Sequence, residues 1–578
     1  MSTFPSNPGP DPTIEPLSGG TIPFAEGPGA RPFDDRRPAH TGAVAGVRSD
    51  PVRVRGDDAP APGAVVRSEP RRFFAMIVIG ASTAMALGLT LKTPTQLGAN
   101  DISRWCTVWS LLERGTYAID DCPWQYLTQD KVKKPDKLSP PGKLAAGPGR
   151  GTSFARRLKA FEHRVKVLEY RNAPAKWKVG DPVEHFYSSK PPLLPTMMAG
   201  VLYPFRRATR VPLDKVIEVP REERYNETNV EGQPGKTEFT LERPKEPAKW
   251  PAYVFYLKPL VVLLNVVPML VFLILYARLL DRTAATDWAW FLSLFTAALG
   301  TYLFVFDQTL NNHTVAAWSG FFSVYALQRI WGERERSGWL FAAAGFFGAF
   351  CACNELPAAV FGVLLFLLML RFPVRTLKFF LPAALIPCLA FLATQYAAFG
   401  QFKPVYEEFG TRSYLYYGSK WTTPLEMDWF NLHPEPKGVY LFHMTLGHHG
   451  VFSLTPIFVF SVLGALRSVV RRNNLTAVSW LTLLLTAGMF AFYTWNPKAR
   501  NYGGSTQGLR WLFWLIPFWL AVLPAGLEAG QRSRLVRGLS LAALCVSAFS
   551  VGYALRAPWS HPWVLDMMEH LNMYVLKR

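Results

Sequence analysis

Several short stretches of this sequence put ionisable and polar residues where apolar runs begin or end. Asn100-Asp101-Ile102-Ser103-Arg104-Trp105 follows an apolar run that closes near Leu91. A carboxylate held near a bilayer, with an arginine one helical turn later, suits a partly desolvated general base that takes a proton from an attacking hydroxyl or amine. Asn and Asp are also favoured at helix starts, so capping is the alternative reading of Asp101. In His185-Phe186-Tyr187-Ser188-Ser189-Lys190-Pro191-Pro192 the prolines fix the chain at the mouth of an apolar helix. Lys190 would then sit at headgroup height, where a cation meets a lipid phosphate, although snorkelling to the interface would place it equally well.

Asp307-Gln308-Thr309-Leu310-Asn311-Asn312-His313-Thr314 joins the ends of two apolar runs. Polar residues this dense at a membrane edge line a water-filled site rather than face lipid, which makes Asp307, Asn311 and His313 candidates. Asn312-His313-Thr314 matches a glycosylation sequon, but it abuts a span and is discounted. Glu355, between two apolar runs, is an intramembrane-edge acid of the same kind, with a short outer turn as the simple alternative. In Asn501-Tyr502-Gly503-Gly504-Ser505-Thr506-Gln507-Gly508-Leu509-Arg510, glycine-rich backbone precedes a helix and can approach a phosphate. Arg510 would grip that phosphate in bidentate fashion. The spacing is not that of a nucleotide-binding P-loop, so ATP is not implied. His443, His448 and His449 could bind a metal, but no carboxylate completes the set at close spacing, and no metal or other cofactor is expected.

These stretches need a scaffold, and composition indicates which. The chain has 578 residues, 49% of them hydrophobic, with a formal charge of +20. The apolar residues are concentrated in runs near the length of about 20 that a bilayer core requires. The basic residues cluster between those runs, as in cytoplasmic loops. No basic stripe with exposed aromatics marks a nucleic-acid binder. The fold class expected is an all-α polytopic membrane protein.

Residues 1–71 are rich in Pro, Gly, Ala and charge and read as a disordered cytoplasmic tail. They lack the order of a signal peptide, and Arg71-Arg72 keeps the tail inside. Spans are expected at 73–91, 252–278, 284–305, 313–330, 338–353, 355–371, 376–398, 452–469, 476–494, 508–526 and 537–555. The apolar piece 191–205 is short for a full span and reads as interfacial or re-entrant. If it stays outside, the loops Arg278–Arg282, Arg329–Arg336, Arg371–Lys378, Arg467–Arg472 and Arg532–Arg537 are all cytoplasmic, and each is basic. That gives about eleven spans, the N-terminus inside and the C-terminus outside. The candidate residues then share the outer face with Cys106 and Cys122, for which a disulfide is open in an oxidising compartment. The other cysteines read as buried small hydrophobes.

In order along residues 72–530, these elements resemble the GT-C superfamily of membrane glycosyltransferases. The likeness is nearest to the branch of lipid A aminoarabinose transferases and protein O-mannosyltransferases. It is carried by the outer loop from Asp101 to Gly115-Thr116-Tyr117, by Lys190-Pro191-Pro192-Leu193, and by the stretch from Gly503 to Arg510 leading into a proline-bearing helix. The resemblance implies a GT-C-like bundle with a large first extracytoplasmic loop. It divides the chain into the tail at 1–71, a transferase module at 72–530 with outer loops 92–251 and 399–451, and a last span and outer tail at 531–578. It implies a polyprenyl-phosphate sugar as donor and a lipid, glycan or protein as acceptor, at the inner (plasma) membrane and with no nucleic-acid partner. By the same resemblance Asp101 is the catalytic acid/base and Lys190 and Arg510 hold the carrier phosphate; from the polar stretches themselves, Arg104, His185, Tyr187, Asp307, Asn311, His313 and Glu355 are expected to line the substrate cavity. The chain departs from the family pattern at Asn100, where an acidic pair is usual, and at His313, where many members carry an Asp. The 206–250 stretch is longer than the family's connection there. The competing readings are a lipid or solute transporter, against which no internal repeat is visible, and an inactive relative that only binds the carrier.

Overall fold

The computed structural model describes residues 68–92, 97–128, 130–137, 182–219, 224–229, 237–242, 248–405, 436–495 and 502–573. The tail expected at 1–71 lies almost wholly outside these residues, as do parts of the two outer loops.

Each apolar run forms a helix, because a chain in hydrocarbon must satisfy its backbone groups internally. The helices run Glu69–Lys92, Tyr253–Thr283, Asp287–Phe306, Asn312–Trp331, Gly338–Asn354, Leu356–Met369, Pro373–Phe399, Phe458–Arg471, Thr476–Trp495, Arg510–Gln531 and Arg534–Ala554. Among the described residues, seven are long and apolar enough to cross a membrane, while Gly338–Asn354 and Leu356–Met369 are apolar but shorter. This is a mostly helical membrane protein. The Asp287–Phe306 and Arg510–Gln531 helices are the most buried of the seven and form the centre of the bundle. The Glu69–Lys92 helix lies outside them. It buries a stripe of Ala75, Val78, Ser82, Ala86 and Thr90 at helical spacing and turns Phe73, Met76, Ile77 and Leu91 outward. Where Phe458–Arg471 crosses Arg510–Gln531, glycines let the backbones meet. A Cβ on Gly526 would lie 1.9 Å from the Phe460 carbonyl oxygen, and one on Gly464 would lie 2.2 Å from that of Val522.

Side-chain contacts draw the basic connections to one end of the bundle. Arg71 pairs with Asp287 at 2.7 Å, and Arg537 lies over the Trp288 ring at 5.5 Å. Arg467 pairs with Glu528 at 2.7 Å, and Gln328 donates to the Asn474 carbonyl at 3.1 Å. Arg282 and Arg329 share Glu333, and Arg336 lies over Phe372.

The opposite end holds the remaining structure. The Ala99–Trp109 helix packs on Leu193–Thr209 through Trp105, Val108, Leu194, Met198 and Leu202. Glu113 takes a two-pronged bond from Arg206 at 2.7 and 2.8 Å, fixing the far end of the second helix. Three antiparallel strand pairs accompany the helices among the described residues. Lys131–Lys137 pairs with Pro182–Ser188. The long 206–250 stretch contains the other two ladders, Val216–Val219 with Ala248–Pro251 and Arg224–Asn229 with Thr237–Glu242. Its alternating β-branched and polar residues, Val216-Ile217-Glu218-Val219 and Thr237-Glu238-Phe239-Thr240, favour strands over helix.

Candidate functional site

The Ala99–Trp109 helix starts after Gly98; its first turn carries Asp101, and Arg104 follows one turn later. Asp101 is fully buried. One carboxylate oxygen accepts the Gly98 N–H at 3.0 Å, so the residue does cap its own helix. The other oxygen faces Arg104 Nη1 at 3.5 Å. Burial raises the Asp101 carboxyl from 3.8 to about 7, against the opposing pull of Arg104 and of the Gly98 hydrogen bond. Desolvation likewise lowers Arg104 below its ordinary value.

Arg104 leads across to the next elements. It donates to Asn312 Oδ1 at the start of the Asn312–Trp331 helix. Asn312 Nδ2 in turn donates to the Asn354 carbonyl at 2.7 Å and to Glu355 Oε1 at 2.6 Å. The same Glu355 oxygen pairs with His313 Nδ1. An amide with both a donor and an acceptor is the side chain that can join a cation to an anion in this way. Asp101, Arg104, Asn312, His313 and Glu355, from three separate elements, thus form one continuous network, buried except at the half-buried Asn312.

Arg510 stands beside it. Gly503 and Gly504 adopt left-handed backbone, with φ of +100° and +80°, which glycine enters without strain. A Cβ on Gly503 would lie 3.1 Å from Arg510 Cγ, so the loop wraps closely around that side chain. The half-buried guanidinium lies 4.9 Å from the centre of the Trp559 ring, a cation–π contact. Trp559 also covers the start of the Asp101 helix, within 2.8 Å of where a Gly98 Cβ would be. The charges of Asp130, Asp101, Arg104 and Glu355 all act on Arg510. Its Nε is buried with no hydrogen-bond acceptor among the described residues.

Lys190 joins through Asp130. Its Nζ lies 3.4 Å from Asp130 Oδ1, and both side chains are partly exposed. The Ser103 hydroxyl, on the Asp101 helix, bonds the Asp130 carbonyl at 2.5 Å and the Ser188 hydroxyl at 2.7 Å. Asp130 also acts electrostatically on Asp101, Arg104 and Arg510. It therefore stands between the lysine and the arginines.

Four expected residues lie apart from this network. Asp307 is fully buried, and its carboxylate oxygens have no hydrogen-bond partner among the described residues. Burial alone pushes its carboxyl well up. Asn311 caps the Asn312–Trp331 helix, accepting the Thr314 N–H at 2.8 Å. His185 lies 3.3 Å from Asp120 through Nδ1. Tyr187 packs edge-on against Phe399 in an apolar cluster with Val132 and Val405. His443, His448 and His449 are brought together, with His443 and His448 stacked at 3.9 Å and His449 stacked on Tyr502 at 4.8 Å. Burial, with help from His561 and His443, lowers His449 to about 3. Among the described residues no three His, Cys, Asp or Glu side chains are placed to hold a metal ion.

Three participants escaped the sequence reading. Asn312 stands in a polar run, where its sequence context shows only a sequon match. Asp130 and Trp559 carried no local signal. No family model, curated protein or solved structure matches the chain.

Proposed function

We propose that this protein is an integral-membrane glycosyltransferase that moves a sugar from a polyprenyl-phosphate carrier to an acceptor on the extracytoplasmic face. The observation that carries the reading is the arrangement of charge. A buried carboxylate with a proton affinity near neutrality, Asp101, shares one site with two cations suited to phosphate, Lys190 and Arg510. The site lies at the end of the bundle opposite the basic connections. The positive-inside rule makes those connections cytoplasmic and the site extracytoplasmic. In this reading the eleven helices are crossings, the N-terminus is cytoplasmic, and the protein resides in the inner, or plasma, membrane.

In this reading Asp101 accepts the proton of the acceptor's hydroxyl or amine as that atom bonds to the anomeric carbon. The bond from that carbon to the carrier phosphate breaks, and the phosphate leaves with the bonding pair. Lys190 and Arg510 neutralise the charge that develops on it. Arg104 and the Asn312–Glu355–His313 chain orient Asp101 from behind. A specific observation favours a second reading, a relative that binds the carrier without turnover: the Asp101 carboxylate is fully buried and is engaged by Gly98 and Arg104. Photo-crosslinking with a polyprenyl-phosphate analogue tests the feature common to both. Labelling should fall at least tenfold in Lys190→Ala and in Arg510→Ala; equal labelling of wild type and both variants would remove the phosphate site from the account.

A further inference from the structure

Cys106 lies on the same helix as Asp101 and Arg104, and Cys122 lies in the segment that leads from that helix to the Lys131–Lys137 strand. Both are free thiols, and they act on each other electrostatically. Both are buried in one apolar cluster with Trp105, Val108, Trp109 and Ile119. The turn that presents Cys122 is fixed by its N–H to the Ile119 carbonyl at 3.1 Å, and Ile119 is itself tied to Phe186 at 2.7 Å. The backbone thus holds Cys122 in the same apolar cluster as the helix that carries Cys106.

We propose that Cys106 and Cys122 are joined by a disulfide in the mature protein. The pair sits at the end of the bundle opposite the basic connections, so the inference shares the sidedness of the proposed function but none of its chemistry. Disulfides form and persist on the oxidising side of a membrane. Bond formation removes one proton and one electron from each thiol. The acceptor is a protein disulfide of the thiol-oxidase class, which becomes a dithiol as the Sγ–Sγ bond forms by exchange. Because both sulfurs are buried in the folded protein, exchange takes place while the outer segment is still folding. The bond closes a short loop and holds the helix bearing Asp101 and Arg104 to the segment that carries Asp130.

The test uses the full-length protein in its native membrane. Free thiols are alkylated at lysis, and the protein is denatured and digested with trypsin without reductant. Cleavage after Arg104, Arg114 and Lys131 puts Cys106 in the peptide 105–114 and Cys122 in 115–131. The expected result is a linked pair of these two peptides, lighter by two hydrogens than their sum, that separates on reduction. Recovery of both peptides singly, each alkylated before reduction, would overturn the inference. Sugar transfer does not enter this readout, so the disulfide and the proposed function can fail independently.

Discussion

Replacing Asp101 with asparagine should stabilise the protein, and by an amount that depends on pH. Asparagine has nearly the same shape and keeps an oxygen for the Gly98 N–H, so the substitution chiefly removes the titration. The folded carboxyl titrates at about 7 and an unfolded one near 3.8. The folded state therefore binds the extra proton between these values, and stability falls as pH rises through that window and levels off above it. At about 1.4 kcal/mol per pH interval, the cost of carrying Asp101 is roughly 1.5 kcal/mol at pH 5 and about 4 kcal/mol above pH 7. For a protein of this size the larger figure is a shift of about 4 °C in Tm. Thermal unfolding in detergent, followed from about pH 5 to about pH 9, should show the variant's advantage widening until about pH 7 and then holding constant. The transfer rate of the wild type should rise along the same titration, because only the ionised carboxylate accepts a proton. A stability difference that does not change with pH would refute the reasoning, since it would mean that Asp101 is ionised throughout.

Other perturbations address the rest of the site and its scaffold. Asn312→Ala severs the link from Arg104 to Glu355, leaves buried groups unsatisfied, and should cost about 1–3 kcal/mol of stability. Its kcat should fall while KM for the carrier stays near wild type, and loss in KM alone would deny Asn312 a positioning role. Arg510→Lys keeps the charge but loses the planar fork over Trp559, and steady-state kinetics should show kcat lowered on the order of 10²-fold. An unchanged rate would remove Arg510 from phosphate stabilisation. Gly526→Ala forces a methyl against the Phe460 carbonyl and should destabilise the bundle by about 1–3 kcal/mol, read as a lower Tm.

The scaffold was largely legible because hydropathy and charge are local properties. Each expected span contains a helix, and among the described residues seven of these helices are long and apolar enough to cross a membrane. The candidate site was legible only in part. Asp101, Arg104, His313, Glu355 and Arg510 announced themselves as ionisable groups at the ends of apolar runs, where burying charge is costly enough to need a reason. Their mutual arrangement depends on which helix ends meet, and no local pattern encodes that. Asn312 is a neutral amide whose part in the network appears only when Arg104 and Glu355 arrive on either side of it. Trp559 lies in a segment that reads as an outer tail, yet it packs against both Gly98 and Arg510. Asp307 and Asn311 show the converse. Their polarity near a span end suggests a wet site; in the structure Asn311 caps a helix and Asp307 is enclosed without a partner among the described residues.

The central claim is sugar transfer from a lipid carrier, and its most direct test is turnover. Purified protein in lipid would be offered a panel of polyprenyl-phosphate sugars with candidate acceptors, comparing wild type with Asp101→Asn and Lys190→Ala. The account predicts transfer from one donor class by the wild type, lowered in both variants on the order of 10²-fold or more. Turnover that persists unchanged in both variants, or a wild type that neither binds nor consumes any lipid-carried sugar, would contradict it.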